Sequence, residues 1–407
     1  MTKCHNTSSS VNPVERIAVT ICRTVRGVGA QETLPSSVPP DLRVRRSWWD
    51  GLLRTLVAGL VVAAGLALPM VAPQPAQAVP PGTYAYVTNF NADTVSVINT
   101  RTNTVAVTVP VGNAPWEVAV SPNGTRAYVT NRADDTVSVI NTATDTVVAT
   151  VPVGLEPLGV AVSPDGTRAY ITNFRANTVS VIKTSTNTVV ATIPVGAAPI
   201  GVAVSPDGTR AYITNSDADT VSVIKTATNR VVATIPVGAF PFGVAVSPNG
   251  TRAYVTNLND DTASVIKTKT NTVVATVPVG DAPQGVAVSP NGTRAYVINA
   301  DADTVSVIKT ATNRVVATIP VGNAPREVAV SPNGTRAYVT NANADTVSVI
   351  KTATNRVVAT IPVEDLPFGV AIGVVPRPGH GKPGHGKPGH DRSTTATVPA
   401  PGNRTQP

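Results

Sequence analysis

The stretch Ala197–Gly238, AAPIGVAVSPDGTRAYITNSDADTVSVIKTATNRVVATIPVG, is one copy of a 42-residue unit that recurs seven times with few changes. Its marker, Tyr-Val/Ile-Thr-Asn, begins at Tyr86, Tyr128, Tyr170, Tyr212, Tyr254, Tyr296 and Tyr338. The sixth copy of the marker reads Tyr-Val-Ile-Asn. Self-similarity at a fixed period of this length is typical of repeat architectures, so the unit decides the fold.

Each unit contains four short apolar runs separated by polar turns. In this copy the runs are Gly201–Val204, Arg210–Thr214, Thr220–Ile224 and Val231–Val237. They are rich in Val, Ile, Thr and Tyr and partly alternate, which predicts strands, and no window favours an amphipathic helix. Ser205–Gly208 predicts a tight turn that needs glycine at positive φ. Pro236 near the end of the fourth run suits an outer edge strand.

Four antiparallel strands in 42 residues are the content of one propeller blade. The first unit lacks its Gly-Val-Ala-Val run, and an equivalent run, Gly369–Ile372, follows the seventh unit. We therefore predict an all-β fold, a seven-bladed β-propeller whose first blade is completed by the C-terminal strand, which removes the open edges. A linear β-solenoid is the alternative, but it would need polar capping units, and none is visible.

Charge and composition divide the chain into three parts. Residues 79–375 are predicted to form the propeller and carry 19 basic and 19 acidic side chains, so the net charge of +8 comes from the two flanks. No basic stripe with interleaved aromatics runs along the units, so nucleic acid is not an expected partner. Residues 376–407 form a tail rich in Pro, Gly, His and Lys that is predicted to be disordered.

Residues 1–78 are predicted to be an N-terminal extension with a secretory signal peptide. Arginines at 43, 45, 46 and 54 flank an uncharged run over 55–72, and Ala76-Gln77-Ala78 follows. Basic residues, an apolar run and a small-x-small site predict export, with cleavage after Ala78. The alternative is an uncleaved membrane anchor, in which case this segment would be the one contact with a membrane.

The cysteines and histidines exclude several kinds of chemistry. Cys4 and Cys22 lie in the leader, and the four histidines are His5, His380, His385 and His390. The predicted propeller therefore has no thiol or imidazole for a nucleophile, a disulfide or a histidine-ligated metal. We expect no cofactor and no metal site, except that the tail histidines are weak candidates for a transition metal.

Most carboxylates of the array occur at repeating positions. Six units carry an aspartate before the third strand, and the third unit carries Asn177 there; the aspartates are Asp93, Asp135, Asp219, Asp261, Asp303 and Asp345. A group that recurs in nearly every unit is best read as an acceptor for nearby backbone N–H groups. The alternative, a calcium site in the acidic loops, lacks the alternating ligand spacing of a dedicated site.

Two positions vary from unit to unit. The Pro-x-Gly position holds Trp116, Leu158, Ile200, Phe242, Gln284, Arg326 and Phe368. The position after the marker holds Phe90, Arg132, Phe174, Ser216, Leu258, Ala300 and Ala342. Glu117 and Glu327 replace the glycine of Pro-x-Gly in two units.

If the Gly-Val-Ala-Val strand is innermost, both positions lie on one face of the ring, around the channel mouth. Exposed aromatics with a few charges are typical of binding surfaces. The predicted ligand-binding residues are Phe90, Trp116, Glu117, Arg132, Phe174, Phe242, Arg326, Glu327 and Phe368. Neutral drift among duplicated loops is the alternative.

The repeat resembles the YVTN family of β-propeller repeat proteins over residues 84–373. The resemblance is carried by the marker and by three further segments, Asp-Thr-Val-Ser-Val-Ile, Val-Val-Ala-Thr-Ile-Pro-Val-Gly and Pro-x-Gly-Val-Ala-Val-Ser-Pro-Asp-Gly. The resemblance implies seven four-stranded blades, export and association with cell surfaces, including archaeal surface layers. Similar propellers include lactone hydrolases that use acidic, Arg and His side chains at the mouth, and the missing histidine argues against that activity here. Fold resemblance fixes no single activity.

The expected function is a secreted or cell-surface binding scaffold, without enzymatic activity, for a protein, a glycan or a cell-wall polymer. One alternative is a lactonase-like hydrolase that uses the carboxylates at the channel mouth, Glu117 and Glu327. Another is a purely structural component of a surface layer. No catalytic residue is predicted.

Overall fold

The computed structural model describes residues 82–376, which form a ring of seven antiparallel sheets of four strands each. The signal peptide, the tail and the histidines at 380, 385 and 390 lie outside these residues, and predictions about them stay predictions. The sequence prediction of a seven-bladed propeller is confirmed. Within the described range no helix is long and apolar enough to cross a membrane.

Strands are numbered β1 to β28 in chain order. The innermost strands are β4 (Pro115–Val120), β8 (Pro157–Val162), β12 (Pro199–Val204), β16 (Pro241–Val246), β20 (Pro283–Val288), β24 (Pro325–Val330) and β28 (Pro367–Val375). The second strands are β1 (Gly82–Asn89), β5 (Arg126–Asn131), β9 (Arg168–Asn173), β13 (Arg210–Asn215), β17 (Arg252–Asn257), β21 (Arg294–Asn299) and β25 (Arg336–Asn341).

The third and outer strands complete each blade. The third strands are β2 (Thr94–Asn99), β6 (Thr136–Asn141), β10 (Thr178–Lys183), β14 (Thr220–Lys225), β18 (Thr262–Lys267), β22 (Thr304–Lys309) and β26 (Thr346–Lys351). The outer strands are β3 (Thr104–Pro110), β7 (Thr146–Pro152), β11 (Thr188–Pro194), β15 (Arg230–Pro236), β19 (Thr272–Pro278), β23 (Arg314–Pro320) and β27 (Arg356–Pro362). A single 3₁₀ turn, Ala342–Ala344, interrupts this pattern in the described residues.

Blade 1 closes the ring because it is built from both ends of the propeller. Its strand order is β28-β1-β2-β3, and β28 pairs antiparallel with β1 from Gly82 opposite Val375 to Asn89 opposite Pro367. Blades 2 to 7 each use four consecutive strands. The seven innermost strands contact one another in a closed circle, with β28 between β24 and β4. The predicted clasp of the first blade is therefore confirmed.

The hydrophobic core lies between the blades, in seams that we number by the two blades they join. At seam 4–5, Tyr212, Val221 and Ile235 of blade 4 pack against Val255 and Ile266 of blade 5. Seven such clusters run round the ring in the described residues. Because each strand alternates its faces between two neighbouring blades, one 42-residue pattern packs against the next copy of itself.

The repeating aspartates accept backbone hydrogen bonds, as the sequence predicts. Asp219 Oδ1 accepts the N–H of Phe240 at 2.8 Å, and Asn177 Oδ1 accepts that of Ala198 at the same distance. The equivalent bonds form in the other units. Each bond joins the loop after the second strand to the connection into the next blade. The hairpin glycine Gly208 has a φ of +70°, as its turn requires.

The marker threonine joins neighbouring blades beside the channel. Thr214 Oγ1 accepts the N–H of Gly201 at 2.7 Å and donates to the carbonyl of Phe242 in the next blade at 2.7 Å. The same blade-to-blade bond forms from Thr88, Thr130, Thr172, Thr256 and Thr340. Ile298 replaces this threonine in blade 6, so the relay of hydroxyls is interrupted at seam 6–7.

Candidate functional site

The two variable positions lie on one face of the ring, as the hydrogen bonds between their loops show. Arg132 donates its backbone N–H to Ala114, and Leu258 donates to Phe240, so the residue after the marker adjoins the connection that enters the innermost strand. The Pro-x-Gly residues are mostly buried rather than exposed: Leu158, Ile200, Phe242, Gln284, Arg326 and Phe368 are each less than one-tenth accessible. Trp116 is half-buried.

Blades 1 and 2 bring three aromatic rings together, which we call the aromatic patch: Phe90 and Phe368 from blade 1 and Trp116 from blade 2. The centroid of Trp116 lies 4.4 Å from that of Phe368 and 5.9 Å from that of Phe90. Phe90 and Phe368 are 5.2 Å apart. Tilted and edge-on contacts at these separations are favourable beyond the area they bury.

Two arginines flank the aromatic patch. The guanidinium carbon of Arg132 lies 5.4 Å from the Trp116 ring, and that of Arg326 lies 5.4 Å from the Phe368 ring. Arg132 is also 3.2 Å from a carboxylate oxygen of Glu156, which binds Arg175 at 2.7 Å through its other oxygen. The patch therefore has a cation over a ring on each side, and one of the two, Arg132, is also paired with a carboxylate.

Arg326 is the more unusual of the two cations. Its side chain is buried, and its Nε has no hydrogen-bond partner among the described residues. Burial lowers the pKa of Arg326 to about 10, with Asp301 acting in the opposite direction. Arg326 therefore stays charged at neutral pH while holding an unused donor close to the aromatic patch.

One residue further along the innermost strands, five glycines and two glutamates form a ring. The glycines are Gly159, Gly201, Gly243, Gly285 and Gly369. A Cβ on Gly201 would lie 2.6 Å from the carbonyl oxygen of Phe242 on the next strand, which explains why glycine dominates here. In the two blades with glutamate, the innermost strand lies slightly further from the marker threonine. The backbone nitrogens of Glu117 and Glu327 are each 3.0 Å from the threonine Oγ1, whereas that of Gly201 is 2.7 Å away.

Glu117 and Glu327 face the channel on either side of Gly369. Each carboxyl turns back so that its Oε1 accepts the N–H of the following residue, Val118 or Val328, at 3.0 Å. Both side chains keep some exposure to the channel space, although protein surrounds them. They line a cavity of about 170 Å³ bounded by the innermost strands of all seven blades, to which Trp116 and Phe242 also contribute.

The two carboxyls titrate as a pair, and burial raises the pKa of both. Burial raises the pKa of Glu327 to about 7. Burial, and then the charge of Glu327, raises the pKa of Glu117 well above its usual value, while the Val118 N–H acts against this. Near neutral pH the pair therefore holds at least one proton and can donate a hydrogen bond as well as accept one.

The predicted binding residues thus separate into groups. Phe90, Trp116, Arg132, Arg326 and Phe368 form the patch with its two cations, whereas Trp116, Glu117, Phe242 and Glu327 line the cavity. Phe174, half-buried in blade 3, belongs to neither group. The described residues contain no cluster of three or more His, Cys, Asp or Glu side chains that could hold a metal ion.

Sequence reasoning missed the unpaired Nε of Arg326 and the relay that ends at seam 6–7, next to Glu327. The signal for the second was present, since Ile298 is the one departure from threonine in the markers. Its meaning needed the structure, because the hydroxyl bonds a carbonyl 28 residues further along the chain.

A family model described as YNCE-like β-propeller matches residues 50–173 and 166–252. With seven four-stranded blades and the marker in every unit, this match decides the family. The chain is a YVTN-type β-propeller repeat protein. No curated protein sequence matches this propeller.

Solved structures that are similar to this YVTN-type propeller come from proteins with different descriptions. A chain described as hydrazine synthase of Kuenenia stuttgartiensis is 25% identical, with a TM-score of 0.63, and the match covers 72% of this chain and 99% of that one. A functionally unknown protein from Desulfotomaculum acetoxidans is 20% identical, with a TM-score of 0.66 and coverage of 72% and 99%. A candidate 6-phosphogluconolactonase from Bacteroides uniformis is 19% identical, with a TM-score of 0.63 and coverage of 71% and 99%. The last two likenesses concern the fold alone.

Proposed function

We propose that this propeller is an exported, non-enzymatic binding scaffold that recognises an acidic glycan through the aromatic patch and the glutamate cavity. One observation carries the proposal. In a ring of near-identical blades, every Trp, Arg and Glu at the variable positions and at the glycine of Pro-x-Gly lies in blade 2 or blade 7, on either side of blade 1. Duplicated loops under neutral drift would scatter such changes round the ring.

The chemistry of the site supports a carbohydrate with a negative charge. Aromatic rings offer flat apolar surface for the C–H face of a sugar, and Trp116 keeps part of its ring accessible. The charged guanidinium of Arg326, 5.4 Å from the Phe368 ring, favours a ligand that carries a carboxylate. The partly protonated Glu117 and Glu327 can exchange hydrogen bonds with hydroxyl groups. A cavity of about 170 Å³ accepts only a small part of such a ligand, so most of it would lie on the rim.

The test uses binding of defined oligosaccharides to the full chain. Calorimetric titration with oligogalacturonate and with a neutral cello-oligosaccharide of equal length separates acidic from neutral recognition. We expect Trp116→Leu to weaken oligogalacturonate binding about tenfold, which corresponds to the loss of one aromatic contact. Arg326→Gln should remove the preference for the acidic ligand.

The matched control is Phe174→Leu, because Phe174 holds the same loop position as Phe90 but lies in blade 3, away from the patch. It should leave binding unchanged. If neither oligosaccharide binds, or if Phe174→Leu weakens binding as much as Trp116→Leu does, a glycan site at the patch is wrong. Export is tested separately, by N-terminal sequencing of protein recovered from the culture medium, where a start at Val79 is expected.

The second candidate function is hydrolysis of a lactone-like substrate by the two channel carboxyls. The raised pKa of both Glu117 and Glu327 favours it, because a carboxyl that stays protonated near neutral pH can act as a general acid. Turnover of a lactone series that disappears in the Glu117→Gln, Glu327→Gln variant would support this function over the binding scaffold.

A further inference from the structure

A clasp of one arginine and one asparagine closes most seams on the face opposite the aromatic patch. At seam 4–5, Arg210 donates to Asn271 Oδ1 at 3.1 Å and to the carbonyl of Thr268 at 2.9 Å. The arginine begins the second strand of one blade, and the asparagine lies in the corner before the outer strand of the next. The same Arg-to-Asn bond closes four other seams, from Arg168, Arg252, Arg294 and Arg336.

At seam 2–3 both partners are present, but Arg126 donates to the carbonyl of Thr125 instead. Seam 1–2 lacks the clasp because both partners differ. Tyr84 stands where the other six units have arginine, and Asp145 stands where they have asparagine. Asp145 is only 4% exposed, and neither of its carboxylate oxygens has a hydrogen-bond partner among the described residues. The seam has thus lost a cation and gained a buried acid at the same place.

The local backbone does not require an aspartate at this corner. Asp145 has a φ of +50°, and asparagine adopts the same left-handed conformation in the other six blades. An unpaired carboxylate is expensive to bury, and burial raises the pKa of Asp145 to about 7. Asparagine would form the same turn without the cost of burying a charge. The turn therefore does not explain why residue 145 is an aspartate.

Seam 1–2 also differs because the described chain begins and ends there. Gly82 pairs with Val375, and the extended end of β28 brings the carbonyl of Val374 against Gly124 of blade 2. In the following blades the equivalent glycine faces the hairpin proline of the preceding unit, such as Pro122 beside Gly166. Blade 1 therefore presents the start of β1 and the end of β28 at the place where the other blades present a closed hairpin.

We propose that seam 1–2 is a binding site for a guanidinium group, held by the Asp145 carboxylate and the Thr142 carbonyl. These two acceptors occupy the positions that Asn271 and Thr268 occupy in the clasp at seam 4–5. A metal ion fits less well, because no cluster of three or more acidic, histidine or cysteine side chains forms within 82–376. The guanidinium has two sources: an external ligand, or Arg377, the first basic residue after the described range.

The experiment measures the thermal unfolding midpoint of the full chain at pH 8 in millimolar guanidinium chloride, against equal concentrations of sodium chloride. Guanidinium at this concentration has almost no denaturing effect, whereas a cation that binds the folded state raises the midpoint saturably. We expect a saturable rise for the wild type. Asp145→Asn should abolish it, and so should Tyr84→Arg with Asp145→Asn, which restores the residue pair of the five clasped seams.

The matched control is Asp165→Asn, which makes the same change at an exposed hairpin where other units already have asparagine. It should keep the wild-type response. Arg377→Gln distinguishes the sources: if Arg377 fills the site, this variant has a lower midpoint and gains a response to guanidinium that the wild type lacks. If neither the wild type nor Arg377→Gln responds, or if the rise seen in either of them persists after Asp145→Asn is added to it, the proposal is overturned.

Discussion

Replacing Glu327 by glutamine tests whether the channel shields the Glu327 carboxyl from water. Glutamine has nearly the same shape, and its Oε1 can still accept the Val328 N–H that Glu327 accepts at 3.0 Å. The substitution therefore removes the ionisable group and leaves the packing in place. Its effect on stability should depend on pH in a way that the pKa of Glu327 fixes.

The sign follows from proton release by the two states. Glu327 has an ordinary pKa of 4.5, and burial raises it to about 7 in the folded protein. Between these values the unfolded chain loses the proton and the folded chain keeps it, so the free energy of unfolding falls as pH rises. The loss is complete above pH 7 and amounts to about 3 kcal/mol, at about 1.4 kcal/mol for each pH unit.

Glu327→Gln should therefore match the wild type below pH 4.5 and exceed it by about 3 kcal/mol at pH 8. Urea unfolding at pH 5, 6, 7 and 8, followed by circular dichroism, measures this difference. Asp145 also has a raised pKa, but it is present in both proteins and its contribution cancels in the comparison. Adding Glu117→Gln should flatten the remaining dependence further.

Glu364→Gln is the matched control, since Glu364 is exposed on the surface and its replacement removes one carboxylate without touching the channel. It should leave the pH dependence unchanged. If the curves of Glu327→Gln and the wild type run parallel from pH 5 to 8, the channel carboxyl is well hydrated. The reasoning about burial would then be wrong.

Substitutions at Thr214, Asp219 and Gly208, with controls, test the repeat network by urea unfolding. Thr214→Val removes a hydroxyl that serves two buried backbone groups and should cost about 2 kcal/mol, while Thr234→Val on an exposed strand should cost almost nothing. Asp219→Asn should be neutral, because Asn177 makes the same bond in blade 3. Asp219→Leu should cost about 2 kcal/mol, because it loses the bond and also places leucine at a φ of +52°. Gly208→Ala forces a Cβ into a φ of +70° and should cost about 1 kcal/mol; equal stability would contradict the need for glycine in that turn.

The sequence predicts the fold well because one pattern is repeated and each copy repeats the same information. Strand number, the turn at Gly208 and the completion of blade 1 by Gly369–Ile372 all follow from spacing. The strand limits differ only slightly: the innermost strand begins at Pro199 rather than Gly201, since it pairs through an irregularity that the pattern does not reveal.

The candidate site was less predictable, because its properties arise between blades. The variable positions could be read from the sequence, but the contact of Trp116 with Phe368 joins residues far apart in the chain. The burial of Arg326 and the raised pKa values of Glu117 and Glu327 depend on the narrow channel that seven blades create. The loss of the clasp at Asp145 could not be predicted from the sequence alone, because the pairing of position 84 with position 145 is known only from the structure.

The proposed binding site is complete only after β28 has paired with β1 in blade 1. Phe368 lies on this last strand, so the aromatic patch has only two of its three rings until the C-terminal residues pair with β1. Gly369, on the same strand, separates the two glutamates, so the cavity also takes its final shape in that step. A propeller without β28 therefore lacks the proposed site, and binding of the proposed ligand would report that β28 has joined blade 1.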